Sequence, residues 1–456
     1  MRRRQARGYS NQYSGFYLLL WTGFTRKISV ILMACLMGGL VACNPEKMVA
    51  SNADSGVITH DMAATTPPRN RTGSGFFLAA RQALYFNEIG QSATFFLETL
   101  KNDPDNIELL QQTFLAQYFR GDIVKATALG RQMEGLNISG AFRAEPATAL
   151  AILSQDWPAV LVLADNIGED SSSLGLSSII KAWALIASDQ GDAGITHLKA
   201  RSGPSTEQSK TTPPYVVLHT ALMAEYLNRP DEVVQQIMAV LDAPMPPLTA
   251  LHIAALLARN GGVDHAHKLI DTRLGPSFDK THIKTILAIP SKNMPPSILQ
   301  NIAHGIVDFS LMAEQSSQSQ ILKARLQLAH FIDKDSDATR LLLGQQQIEF
   351  GLSDAAAKSL IRIQTDGYLG QPALIALSDI ANDQQYNDEA AALLREAIDL
   401  NPNDGYLHKL LGDCYRRWGE YAKGRDAYQG ALDRGYVTSD LHRNLGVTLE
   451  RLGNFE

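Results

Sequence analysis

The sequence predicts an all-α fold, an α-solenoid of about eleven helix pairs, from three observations. The chain is rich in Ala, Leu, Gln and Asp and holds only 7% aromatic residues, a composition suited to helices. Apolar residues recur at helical spacing in short runs broken by Gly, Asn and Pro. From Gln371 to Glu456 the chain repeats itself every thirty-four residues: Leu377, Leu411 and Leu445 share one column and Ser378, Gly412 and Gly446 the next, while Gly419 and Gly453 fall at matching turns.

Each column has a physical task. Short residues in the first helix of a unit (Gly344, Ser378, Gly412, Gly446) are expected to meet short residues in the second (Ala356, Ala390, Gly424), because helix axes closer than about 8–10 Å leave no room for a larger side chain. Leu377, Leu394, Leu411, Tyr415 and Tyr428 supply an apolar stripe that a pair buries only against its neighbours. Gly351, Gly419 and Gly453 stand at turns where a positive φ costs glycine nothing, and Asn401, Pro402 and Asn403 stop the second helix. This register resembles the tetratricopeptide repeat (TPR), in which two antiparallel helices form one unit of a right-handed superhelix. The resemblance implies a binding scaffold.

Residues 1–43 read as a lipoprotein signal peptide. Arg26 and Lys27 precede an apolar run of fifteen residues, Ile28 to Ala42, shorter than the ~20 that a membrane-spanning helix needs. The run ends in Leu40, Val41, Ala42 and Cys43, which resembles the lipobox of bacterial lipoproteins. That resemblance implies lipidation of Cys43, with acyl chains anchoring the protein at about 0.8 kcal/mol per buried methylene. Asn44 stands where an aspartate would favour the inner membrane, so the implied address is the outer membrane, facing the periplasm. The other reading is an uncleaved anchor helix. Residues 44–72, dominated by Ser, Asn, Pro, Thr and Gly, read as a flexible linker with an end-to-end distance on the order of 30 Å.

A first solenoid is expected over residues 73–289. Asp103 to Asn106 close its first unit, and Gly121 and Ala126 hold the turn and small columns of the next. After residue 140 the columns degenerate, but helix pairs continue: Thr148 to Leu153 with Trp157 to Ile167, Leu174 to Ser188 with Asp192 to Ala200, Val216 to Leu227 with Asp231 to Leu241, and Leu248 to Ala258 with Val263 to Leu274. Arg201 to Pro214 reads as an exposed loop. Pro290 to Pro296 marks a joint, and a second solenoid over residues 297–456 ends mid-repeat, which implies a fragment of a longer repeat protein. The order of segments resembles long TPR lipoproteins of alphaproteobacterial envelopes, a likeness of repeat motifs that specifies little function.

Residues 1–43 carry six of the 41 basic residues and no acidic one, so the remainder holds 35 basic against 47 acidic side chains. Such a body is not expected to track nucleic acid or anionic lipid by bulk charge. In TPR arrays the resemblance places function on the concave face, built from positions two, five, nine, twelve and thirteen of each first helix. Those columns hold Phe77, Arg81, Tyr85, Gln111, Tyr118 and Phe119 in the N-terminal units, and Tyr406, Lys409, Asp413, Arg416, Arg417, Arg443 and Arg451 in the last ones. One reading is a groove taking an apolar peptide at one end and an acidic tail or polymer at the other. The other is that the aromatics pack between repeats while the arginines pair with Asp413, Glu420 and Glu450.

The sequence holds no phosphate-binding glycine loop, nucleophile elbow or paired-cysteine metal motif, so no catalytic residue, metal or cofactor is expected. The 11 histidines are scattered, and His265 and His267, two apart on a helix, point in different directions. Cys414 reads as a packed small side chain. The expected function is a non-catalytic scaffold lipoprotein that recruits proteins for envelope assembly or export. The alternatives are an accessory subunit or fragment of an enzyme system, such as a glycosyltransferase or polysaccharide exporter, and a direct polysaccharide binder.

Overall fold

The computed structural model describes residues 73–86, 88–138, 142–167, 173–201, 212–313 and 320–453. The expected signal peptide with Cys43, the linker at 44–72, most of the loop from Arg201 to Pro214 and the final residues 454–456 lie outside these. Every described residue belongs to one compact unit, residues 67–456.

Twenty-two α-helices and no strand are found among the described residues. The first six hairpins are α1 (Gly73–Tyr85) with α2 (Ile89–Leu100), α3 (Ile107–Arg120) with α4 (Ile123–Gly135), α5 (Ala144–Leu153) with α6 (Trp157–Ile167), α7 (Leu174–Ala187) with α8 (Gly191–Arg201), α9 (Pro214–Tyr226) with α10 (Pro230–Met238), and α11 (Pro247–Arg259) with α12 (Val263–Arg273). A short α13 (Lys280–Leu287), which the sequence reading did not anticipate, stands alone. Then come α14 (Ile298–Ala313) with α15 (Gln320–Ile332), α16 (Asp337–Glu349) with α17 (Ser353–Leu360), α18 (Gly370–Asp383) with α19 (Asn387–Leu400), and α20 (Gly405–Arg417) with α21 (Tyr421–Asp433). The last helix, α22 (Ser439–Arg451), packs on α21. The all-α solenoid is thus observed, as ten hairpins and two single helices rather than eleven pairs. No described helix is long and apolar enough to cross a membrane.

The hairpin turns share one device. Gly121 (φ 86°), Gln155 (56°), Asp189 (59°), Asn228 (58°), Gly261 (84°), Gly351 (72°), Gln385 (65°) and Gly419 (80°) are all left-handed. Each lets the following N–H reach back to close the first helix, as Asp122 does to the Gln117 carbonyl at 3.0 Å and Arg229 to the Ala224 carbonyl at 2.9 Å. The geometry therefore survives where the glycine does not. Replacing Gln155, Asn228 or Gln385 by Gly is expected to stabilise the protein by about 0.5–1 kcal/mol each, read as a raised urea midpoint at unchanged slope, because the left-handed penalty exceeds the entropy glycine adds to the unfolded chain.

Between hairpins, Asn106, Asp404 and Thr438 cap the next helix, accepting from the N–H groups of Leu109, Tyr406 and Leu441 at 3.0, 2.9 and 3.2 Å. The small columns meet as expected in two units, where Ser378 donates to the Ala390 carbonyl at 3.0 Å and a Cβ on Gly424 would lie 3.5 Å from the Gly412 carbonyl. The nearest groups to Gly344 and Gly412, however, are the large side chains of Leu360 and Tyr428, and among the described residues nothing lies against Gly446.

The expected joint at Pro290 to Pro296 does not separate two solenoids. One hydrophobic core runs from Ala80 to Ile380 across it. Helix α14 packs along α7 and against α9, and α15 packs on α3 and α5, so this hairpin fills the hollow of the N-terminal repeats. The physical reason lies in α14 itself: Asn301, Asp308 and Ser310 are buried as well as Ile302, Ala303, Ile306, Val307 and Phe309, which a helix covered on one face alone would not allow. Close approach is granted by Gly305, where a Cβ would lie 2.5 Å from the Ile179 side chain, and by Gly175, where it would lie 2.5 Å from the Phe309 ring.

Candidate functional site

The hairpin decides which expected site residues are available. Tyr118, placed on the partner-binding face by its column, is fully buried, and its hydroxyl donates to the Glu145 carboxylate. This corrects the sequence reading: α15 covers the ends of α3 and α5, so a residue aimed at the hollow meets the chain itself. Arg325 of α15 donates to Glu145 Oε1 at 2.9 Å and to the Ser173 hydroxyl at 2.7 Å, between the rings of Phe142 and Phe309 at 5.6 and 5.4 Å. Burial, reinforced by the negative charge of Glu145, pushes the Tyr118 phenol well above its ordinary range.

The other N-terminal candidates do not converge on one pocket. Phe77 is half-buried, edge-on to Phe96 at 6.1 Å, with the exposed Arg81 guanidinium 6.0 Å from its ring. Phe119 is half-buried and stacks on Tyr118 at 6.3 Å, while Tyr85 is 85% exposed against Phe86.

A second polar group lies where α14 meets α7, α9 and α11. The Trp183 indole N–H donates to His219 Nδ1 at 3.1 Å. Indole has no acceptor, so Nδ1 carries the lone pair and His219 Nε2 carries the hydrogen, which faces Asp308 Oδ2 at 3.6 Å. His252 Nδ1 lies 3.5 Å from the same oxygen, the Thr249 hydroxyl donates to Asp308 Oδ1 at 2.7 Å, and the His252 and His304 rings stack at 4.5 Å. Burial alone would raise the Asp308 carboxyl, but the imidazoles of His219 and His252 facing it outweigh burial and hold it far below the usual range. Burial and the neighbouring His252 lower His304 to about 3. Among the described residues no three His, Cys, Asp or Glu side chains are placed to hold a metal ion.

The sequence reading took these histidines as scattered. A signal was present: Trp183, His219 and His252 sit on successive first helices at intervals close to one repeat.

The C-terminal columns divide into residues already engaged and residues left open. Lys409 pairs with Asp413 at 2.6 Å, and Asp413 Oδ1 accepts from Tyr428 at 2.7 Å and from Asn444 at 2.9 Å. Arg416 Nε donates to the Tyr428 hydroxyl at 3.2 Å, so this network ties α20 to α21 and α22. Tyr406 is half-buried beside Tyr436 at 5.7 Å. Arg417, Arg443 and Arg451 are exposed, Arg443 reaching Asp440 at 2.6 Å. The pairings expected with Glu420 and Asp413 are not those found: Glu420 takes Lys423 at 3.2 Å and Asp413 takes Lys409.

Sequence reasoning missed Asp379 and Asp383, both exposed on α18. Asp379 stands thirty-four residues before Asp413, in the same column. It opens to solvent on one side, yet the surrounding helices crowd it, and this loss of hydration pushes its carboxyl up to about 6 against the pull of Arg417. Cys414 is buried, its thiol raised by that burial, with Arg417 Nη2 at 3.6 Å from the sulfur.

No family model matches the chain. No curated protein matches it in sequence. Similar solved structures include the APC/C hetero-tetramer Cut9–Hcn1, at 12% identity over 84% of this chain and 85% of that one with a TM-score of 0.30. Yeast Tom70 is 11% identical over 84% and 89%, with a TM-score of 0.30. The human IFIT1 dimer with m7Gppp-AAAA is 14% identical over 62% and 65%, with a TM-score of 0.29. The helical-repeat architecture stands on the helices described above, and likenesses this low carry nothing about a ligand.

Proposed function

We propose that this chain is a non-catalytic repeat scaffold that holds an extended segment of a protein partner along the columns of α18, α20 and α22. The observation that carries the reading is the seating of α14–α15: it fills the hollow of the N-terminal repeats, while Asp379, Asp383, Arg417, Arg443 and Arg451 stay exposed at the other end. Guanidinium groups in open columns bind carboxylates through paired N–H donors, so the partner segment carries acidic side chains opposite α20 and α22, clear of Asp379 and Asp383 on α18. On a chain of net charge −6, a local cluster of arginines favours that segment over others.

The same proposal takes the Leu40 to Cys43 lipobox as the anchor, which puts the repeats at the bacterial outer membrane, facing the periplasm, in envelope assembly or export. Metabolic labelling with an alkynyl fatty acid tests it: the label is expected on the wild type and absent from Cys43→Ser.

For the binding face, fluorescence anisotropy of the purified protein with labelled acidic and basic peptides is the direct measurement. The acidic peptide is expected to bind, and Arg417→Glu with Arg443→Glu to weaken it roughly ten-fold or more at an unchanged unfolding midpoint. Preference for the basic peptide, or an affinity indifferent to both reversals, would overturn the reading.

A further inference from the structure

The seat of α14–α15 is polar as well as apolar, and one polar contact brings three imidazoles to one carboxylate: His219 from α9, His252 from α11, and His304 with Asp308 from α14. Its capacity for protons is small. His219 Nδ1 already accepts the Trp183 N–H, so its lone pair is taken. His252 and His304 lie ring over ring at 4.5 Å, and a single carboxylate balances charge on one of them at most.

Among the described residues, the charged neighbours on the packed helices bring no spare anion. Arg259 of α11 adds a cation, and Glu225 of α9 is already bound to it at 2.8 Å. On α15, Arg325 is held by Glu145, and Lys323 lies 4.7 Å from the Phe350 ring. On α7, Lys181 reaches Asp165 at 2.6 Å. His219 Nε2, His252 Nδ1 and Asp308 Oδ2 are buried and face one another just beyond hydrogen-bond distance, so the contact is closed but not tightly bonded.

We propose that this cluster makes the seating of α14–α15 acid-sensitive: a proton that the closed cluster refuses is accepted once α14 leaves α9 and α11, so acid opens the hollow of the N-terminal repeats. The depression of His304 to about 3 agrees with the geometry. Its direction fixes the sign. A free imidazole titrates near 6.5, so below that pH the open form binds more protons than the closed one, and seating weakens as pH falls from about 6.5 towards 3. One histidine free to protonate only in the open form shifts the closed-to-open ratio by about ten-fold between pH 7.5 and 5.5. The surface exposed would include the apolar wall of α7 around Ile179, against which Gly305 now lies.

Hydrogen exchange followed by mass spectrometry on the full chain at pH 7.5, 6.5 and 5.5, corrected for the intrinsic exchange rate, tests this. Peptides from α14 and α9 are expected to lose about ten-fold in protection over that interval while α20 and α21 keep theirs. His304→Gln, similar in size and unable to protonate, is expected to flatten the response. Constant protection of α14 in the wild type, or an unchanged pH response in His304→Gln, would overturn the proposal. If His304→Gln lacks native circular dichroism, the wild-type contrast between α14 and α21 decides by itself.

Discussion

Replacing Arg325 by Met is expected to cost about 3–5 kcal/mol of stability, because it strands a buried carboxylate. Glu145 is fully buried and Arg325 is 2% exposed, and 180 residues of chain separate them. With the guanidinium gone, Glu145 keeps one donor, the Tyr118 hydroxyl, and no positive charge, while Ser173 loses the N–H it now accepts. The loss therefore reflects an uncompensated charge more than missing contacts, and the double variant tests that distinction. Glu145→Leu combined with Arg325→Met removes both charges and is expected to recover most of the stability, giving a strong coupling in a double-mutant cycle measured by urea unfolding. A cost below about 1 kcal/mol for Arg325→Met would mean that α15 does not seat as described.

How far the fold was legible depends on where its information is stored. In residues 337–453 it sits in short residues and turn glycines at fixed columns, so Gly344, Ser378, Gly412, Gly351 and Gly419 could be placed before any coordinates. In the middle of the chain the same hairpins form, with Gln155, Asp189 and Asn228 in the left-handed turn position, and only the apolar period betrays them. What a column cannot announce is what lies opposite it. The repeat register aims Tyr118 at the hollow but is silent about a later hairpin returning to fill it, since the contacts of α15 with α3 and α5 and of α14 with α7 join residues more than 100 positions apart. The cue was α14 itself, buried on more sides than a solenoid hairpin needs.

Removing the Asp308 carboxylate is the second large effect. In Asp308→Ala the Thr249 hydroxyl loses its acceptor, and His219 Nε2–H and His252 face an apolar side chain, for an expected loss of about 3–5 kcal/mol at pH 7. Asp308→Asn keeps an oxygen for Thr249 and is expected to lose about 1–3 kcal/mol. The pH dependence separates the two titrating groups. A carboxyl held far below its unfolded value gives stability that is fully present above about pH 4 and is lost as pH falls through the folded value, so the Asp308 share disappears only in strong acid. His304, lowered to about 3, acts in a higher window: stability falls from about pH 6.5 downwards, by up to ~2 kcal/mol at pH 5. Urea unfolding at pH 7, 5 and 3.5 should therefore show the wild type losing stability at both steps. Asp308→Ala should keep the fall from about pH 6.5 towards 3 that belongs to His304 and lose only the additional fall that begins below about pH 4. An Asp308→Ala profile parallel to the wild type below pH 4 would show that the carboxylate is not what holds α14 against α9 and α11.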